Sequence, residues 1–309
     1  MSVEKVKARV YHSDRYTLPL PEWHRFPMRK YSLLRQRVER AAWSDRVRLL
    51  EPPAASDADL ERVHDPGYVR RVATGGLRPE EEREIGLPWS EGLVERSRRS
   101  TGGTIAAARA ALEDFASVNL AGGTHHAHVH KGAGYCVFND AAVAARALLA
   151  EGRVERVVIL DCDVHHGDGT AAIFADDPRV FTYSIHSAKN YPMRKPPSDL
   201  DVPLPDGIGD TDYLARLEET VPQALDRAGA NLAIYLAGAD PYEGDRLGRL
   251  KLTKEGLRRR DAFIFAECRR RMLPVAVTMA GGYAEPIEDT VEIQLATVRA
   301  AVALAVGRD

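Results

Sequence analysis

Residues Val157-Val158-Ile159-Leu160-Asp161-Cys162-Asp163-Val164-His165-His166-Gly167-Asp168-Gly169 decide how this chain is read. An apolar run of buried-strand type passes directly into three carboxylates and two imidazoles within eight residues. Such a cluster is costly in a core unless its charges are paired or metal-bound. The end of a buried strand is also where open α/β sheets place their sites. Asp163 and His165 are two apart. In extended backbone they point to one side and can hold one ion together.

Other short apolar runs read as buried parallel strands at 8–11, 117–121, 180–185, 232–237 and 274–280. Helical patterns lie between them at 91–113, 139–150 (with Asn139 as N-cap), 211–228, 253–271 and 288–306. This alternation predicts an α/β fold with a mainly parallel sheet and helices on both faces. The Pro-rich segment 192–209 reads as a structured surface loop. The arginine runs 258–260 and 269–271 read as a solvated helix face.

The unusual polar residues follow the predicted strands in turn. Gly122-Gly123-Thr124-His125-His126 follows one, Asp161 to Asp168 another, and His186 ends a third. Gly238-Ala239-Asp240 and Gly281-Gly282-Tyr283 follow two more. In a parallel sheet all five ends share one edge. Asp163, His165 and Asp240 would supply three metal ligands and leave a coordination position open, as in catalytic zinc sites. The mixed donor set also suits Fe2+ or Mn2+. His125 and His126 are candidates for proton transfer, with Asp161 and Asp168 as spare carboxylates to orient them. Tyr283 could donate to an oxyanion. Seven of the ten histidines fall between 125 and 186, which fits one site rather than scatter. His128 and His130 read as loop residues beside it.

Composition bounds the rest. A formal net charge of −2 argues against a nucleic-acid partner, which usually meets a basic surface. The charged N-terminus and the lack of a long apolar run predict neither a signal peptide nor a membrane span. Three scattered cysteines (Cys136, Cys162, Cys268) fit a reducing cytoplasm better than a disulfide framework.

The blocks Gly122–Ala127, Gly134-Tyr135-Cys136-Val137-Phe138-Asn139-Asp140, Asp161–Gly169 and Ala280–Tyr283 resemble, in order, the signatures of the zinc-dependent histone deacetylase superfamily. Residues 237–248 and 196–204 look most like its class IV branch and bacterial relatives. The resemblance spans roughly 8–305 and implies one catalytic domain over 1–309, with an arginase-like, eight-stranded α/β fold. It implies zinc on Asp163, His165 and Asp240, with His125 paired to Asp161 and His126 to Asp168. Tyr283 would be the electrophilic tyrosine. It further implies a structural potassium near Asp161, Asp163, His165, Ser184 and Ile185. The substrate would be an acylated lysine of a protein, held by Gly134, Tyr135, Tyr191, Gly281 and Gly282. Tyr135 stands where many relatives carry Phe, which makes the tunnel narrower or more polar. Rival readings are a long-chain or lactoyl-lysine deacylase, an acetylpolyamine deacetylase, and a non-catalytic acyl-lysine binder. Oligomeric state is not legible.

Overall fold

Val157–Asp161 forms a central strand because both of its faces are covered. Val158 and Leu160 join the apolar cluster on one side of the sheet, Val157 and Ile159 the cluster on the other. Each of these side chains is at most 1% exposed, so the run carries no polar residue until its end. The computed structural model describes residues 7–21 and 24–307. The charged start of the chain, 1–6, lies outside them.

Eight strands build the sheet: β1 (Ala8–Tyr11), β2 (Val47–Leu50), β3 (Ala116–Asn119), β4 (Val157–Asp161), β5 (Val180–Ser187), β6 (Leu200–Leu204), β7 (Leu232–Leu236) and β8 (Val275–Thr278). Their order is β2-β1-β3-β8-β7-β4-β5-β6. Every pairing is parallel. The helices, in chain order, are α1 (Arg29–Glu39), α2 (Asp57–Leu60), α3 (Pro66–Thr74), α4 (Pro79–Ile85), α5 (Glu91–Asp114), α6 (Asp140–Ala150), α7 (Asp168–Phe174), α8 (Asp210–Ala228), α9 (Lys254–Arg270) and α10 (Ile287–Val306). Buried residues of α1, α8, α9 and α10 pack on one face of the sheet, and those of α3, α5 and α6 on the other. The expected α/β arrangement is present, the six anticipated strands and five anticipated helices all form, and Asn139 caps α6 through Ala142 N–H.

Three expectations need correction. The segment 192–209 is not all loop. Residues 200–204 form β6, an edge strand in which Pro203 is exposed, as a residue without an N–H must be in a sheet. Strand β2 was not anticipated, because Val47-Arg48-Leu49-Leu50 is a short edge strand with little alternation. The arginine runs on α9 are not wholly solvated, since Arg260 is fully buried.

The order places β3, β8, β7 and β4 side by side. These are the four strands whose C-terminal ends carry His125-His126, Gly281–Tyr283, Asp240 and Asp161–Asp168. The chain leaves β3 through α6 and returns in β4, three places away. A crevice opens at such a reversal.

Helix α5 lies close under this edge. A Cβ built on Gly102 would sit 1.9 Å from the Pro53 carbonyl oxygen, which is backbone and cannot swing aside. Gly102→Ala would gain about 1 kcal/mol of helix propensity. The overlap costs more, on the order of 1–3 kcal/mol for overpacking. A net loss of up to about 2 kcal/mol in a urea melt is expected, and a stabilised variant would contradict the packing argument.

Candidate active site

The turn after β3 is shaped by one carboxylate. Asp140, at the start of α6, accepts from Gly123 N (3.0 Å), Thr124 N (2.7 Å), Thr124 Oγ1 (2.6 Å) and Thr104 Oγ1 (2.5 Å). Gly122 and Gly123 have φ of +83° and +77°, where an L side chain is strained. A Cβ on Gly123 would also meet Ala280 at 2.4 Å. Asn139 Nδ2 donates to the Ala127 carbonyl at 3.2 Å. Together these contacts present His125 and His126 side by side, with ring centroids 4.1 Å apart.

Each imidazole meets a carboxylate on its far side. His125 Nδ1 is 2.6 Å from Asp161 Oδ2, and His126 Nδ1 is 2.6 Å from Asp168 Oδ1. His128 donates through Nε2 to the other oxygen of Asp168 at 2.9 Å, so this histidine positions the carboxylate, whereas His130 is exposed. His126 is held down at about 3 by burial and by the charge on His125. Burial also acts to lower His125, but Asp161 and Asp163 outweigh it and raise the ring to about 9. The two surroundings act in opposite directions and favour a proton on His125 over one on His126.

Asp163, His165 and Asp240 come together, each buried, with one ligand atom apiece within 4.8 Å of the others. Asp163 Oδ1 accepts from His165 N, and Asp163 Oδ2 from Gly281 N at 2.7 Å. Val164 N donates to Asp240 Oδ1 at 2.9 Å, while the buried Asp240 Oδ2 has His165 Nδ1 at 3.3 Å and no well-aligned hydrogen-bond donor. Burial and the neighbouring Asp163 push Asp240 up to about 7. Burial opposes ionised Asp163, yet His125 and His165 hold it below the usual carboxylate range. A Cβ on Gly281 would stand 1.9 Å from Asp240 Oδ2 and 2.6 Å from Asp163 Oδ2, so only glycine leaves this cradle open. A spare buried carboxylate oxygen beside an imidazole and a second carboxylate fits a divalent cation.

Tyr283 lines the same cavity as His125, His126, Asp163 and His165, as do Gly134, Tyr135, Tyr191 and Gly281. Gly282 lies behind, its φ of +147° shaping the turn. The Tyr191 ring packs against His126 at 4.8 Å, nearly perpendicular. A Cβ on Gly134 would come 2.6 Å from His126 Cδ2 and 3.2 Å from Tyr191 Cε1. Tyr135 packs on Phe26 (5.2 Å) and Tyr283 (6.1 Å). Asp161 and Ser184 are register partners in β4 and β5.

Several residues escaped the sequence reading. Lys30, 1% exposed, donates to the carbonyls of Ala280 and Gly282 and lies 5.2 Å from the Tyr283 ring centre. Arg96 stacks on Tyr31 and Phe26 at the cavity wall. Arg260 donates from Nη1 to the carbonyls of Gly238 (2.6 Å) and Cys162 (3.2 Å), so it braces the backbone beside both Asp240 and Asp163. Its charge is met by Asp261, which also accepts from Tyr235 and Thr297. His64 donates through Nδ1 to the His128 carbonyl and accepts from Asn139 N, both at 3.0 Å. None of these lies in a motif, and a helical Arg-Arg-Arg run is a poor signal for a buried cation.

The comparisons agree with this geometry. The histone deacetylase domain model matches residues 24–298. The chain belongs to the histone deacetylase family. It is 45% identical over 282 residues to an uncharacterised protein of Picosynechococcus sp., covering 91% of this chain and 94% of that one. It is 33% identical to a probable deacetylase of Archaeoglobus fulgidus, covering 82% and 74% of the two chains. The crystal structure of the HDA15 HD domain superposes with a TM-score of 0.78 at 22% identity, covering 98% of this chain and 88% of that one, and shows the shared fold. Membership makes the protein a hydrolase acting on amides, in a family typically dependent on a metal. Among the described residues, no helix is long and apolar enough to cross a membrane.

The His64 contacts predict a pH effect. Burial holds His64 at about 4, below its ordinary 6.5. Its Nε2 must stay unprotonated to accept from Asn139. Between those values the unfolded chain binds the extra proton and the native one does not, so stability rises with pH. The contribution is complete above about 6.5 and is lost as pH falls toward about 4, a span of about 3 kcal/mol. The stability gap between wild type and His64→Gln, from urea melts, should shrink by about 2–3 kcal/mol from pH 7 to pH 4.5. A constant gap would refute this.

Proposed function

We propose that the protein, working as one catalytic domain, hydrolyses the acyl-amide of an acylated lysine side chain, with Zn2+ on Asp163, His165 and Asp240. The observation that carries the reading is the shared cavity. Two of the candidate ligands, Asp163 and His165, line one space of about 390 Å³ together with His125, His126 and Tyr283, and the third, Asp240, stands beside them. When bound, a divalent metal supplies Lewis acidity and lowers the pKa of a water.

The protein groups then divide the proton work. His126 is neutral, and Asp168 holds its Nδ1–H, which leaves the Nε2 lone pair to take a proton from the attacking water. The same nitrogen returns that proton to the departing amine. His125, charged and held by Asp161, stabilises negative charge developing beside it. Burial keeps the Tyr283 hydroxyl protonated far above neutral pH, so it serves as a hydrogen-bond donor to the acyl oxygen. Tyr135 and Tyr191 offer flat faces to the lysine methylenes, with Gly134 and Gly281 keeping the path clear, while Gly282, packed against Thr290, shapes the turn behind them. A structural potassium near Asp161, Asp163, His165, Ser184 and Ile185 belongs to the same reading, supported by the pairing of Asp161 with Ser184. Three buried, unpaired thiols suit a cytoplasmic setting.

One observation favours a second reading. Phe26, Tyr31 and Arg96 line the cavity alongside the reacting groups, which gives more room than an acetyl group fills. Acyl chains longer than acetyl, lactoyl included, are the natural candidates, with small acylated amines behind them.

Tyr283→Phe and His126→Ala should each lower kcat on an acetyl-lysine peptide by about 10²–10⁴-fold, the usual worth of an oxyanion donor or a general base. Zinc content, read by elemental analysis, should stay at the wild-type level. Wild-type turnover in both variants would end the proposal. A second assay compares kcat/KM for acetyl-, lactoyl- and myristoyl-lysine peptides with acetylpolyamines. Lysine peptides should lead, and a tenfold preference for the polyamine would transfer the function to small amines.

A further inference from the structure

A second group of metal-ligating side chains lies toward the β6 edge of the sheet. His166 follows β4 directly after His165, His186 lies in β5, and Asp201 lies in β6. Each offers one ligand atom within 4.8 Å of the other two. His166 Nε2 is 3.1 Å from Asp201 Oδ1, and the two imidazoles stand nearly perpendicular with centroids 4.7 Å apart. His166 is fully buried and His186 is 2% exposed. The Asp201 side chain keeps 28% exposure, so the cluster has an opening to solvent.

The surroundings hold these side chains in place. His186 Nδ1 is 3.0 Å from Ser184 Oγ, the kind of contact that orients a liganding imidazole through its other nitrogen. Asp201 accepts from Ser198 N at 2.9 Å, and Ser198 Oγ is 3.3 Å from His166 Nε2. An ordinary buried His–Asp contact explains the 3.1 Å distance. It does not explain why a second buried imidazole, His186, also brings a ligand atom within 4.8 Å of both partners.

We propose that His166, His186 and Asp201 bind a second divalent cation, distinct from the one assigned to Asp163, His165 and Asp240. Two imidazoles and a carboxylate form a zinc-type donor set with one position left for water. The three ligands come from, or directly follow, three adjacent strands, so the ion ties the edge strand β6 to β5 and to the end of β4. Edge strands lack a partner on one side, and Pro203 removes a further backbone donor here. The chain between Tyr191 and β6 is thereby fixed at its far end.

The test is zinc stoichiometry. Full-length protein is stripped with a chelator, reloaded with Zn2+, desalted and analysed by inductively coupled plasma mass spectrometry. Two zinc per chain are expected for wild type, and one for His186→Gln/Asp201→Asn. Asp240→Asn should also retain one, and its melting temperature should rise on adding Zn2+. That rise should vanish when Asp201→Asn is added, a variant at a part-exposed site that tolerates the change sterically. One zinc in wild type that Asp240→Asn loses, or a second equivalent that survives His186→Gln/Asp201→Asn, overturns the proposal. Neither result counts against the Asp163, His165 and Asp240 site, whose occupancy is read separately in the variants.

Discussion

Two carboxylates, Asp163 and Asp240, are buried within reach of one imidazole at neighbouring strand ends, and the rest of this edge is arranged around that fact. Like charges so close raise each other's cost, and burial multiplies it. The protein meets part of that cost with backbone N–H groups from His165, Val164 and Gly281. One oxygen of Asp240 is left over. Two buried carboxylates sharing one imidazole form a donor set of the kind that holds a divalent cation.

That constraint propagates outward. Gly281 and Gly238 cannot carry a Cβ, because it would overlap the carboxylates or the backbone of Asp163. The carbonyls of Cys162 and Gly238, facing away from the site, need a donor in the core, and buried Arg260 supplies it. Arg260 in turn requires Asp261, which is satisfied by Tyr235 and Thr297. The result is a polar chain running from the strand ends into the layer of α9 and α10. Its members are worth more together than singly, since removing one strands a buried charge.

How much of this could be read in advance depended on whether the signal was local. Period and β-branching announced β4, β5, β7 and β8, and the strand ends carried the histidines, aspartates and tyrosine in contiguous motifs. Strand β6 was hidden by Pro203, which is tolerated only because the strand is at the edge. Arg260 was hidden because a buried cation and a solvated one look alike in a helical run of arginines. Lys30, Arg96 and His64 were invisible for a further reason. Their partners lie from about 60 to 250 residues away, at Tyr31 and Phe26 from the far side of α5, at Asn139, and at Ala280 and Gly282. His186 has no carboxylate close to it in sequence, and only the fold brings Asp201 beside it.

The two histidines of the pair look equivalent in sequence, and each has its aspartate, yet their surroundings make them opposites. With ring centroids 4.1 Å apart in a buried site, both cannot carry charge. The proton goes to His125, because Asp163 lies 3.9 Å from its Nε2 in addition to Asp161 on its other side. His126 is then kept neutral by its neighbour's charge as well as by burial. A cation on Asp163 would weaken the pull on His125 and add a positive field that disfavours charge on either ring, leaving Asp161 as the main support for a proton on His125. The asymmetry therefore rests on which imidazole stands nearer the paired carboxylates. The Gly122-Gly123 turn, held by Asp140, sets that placement.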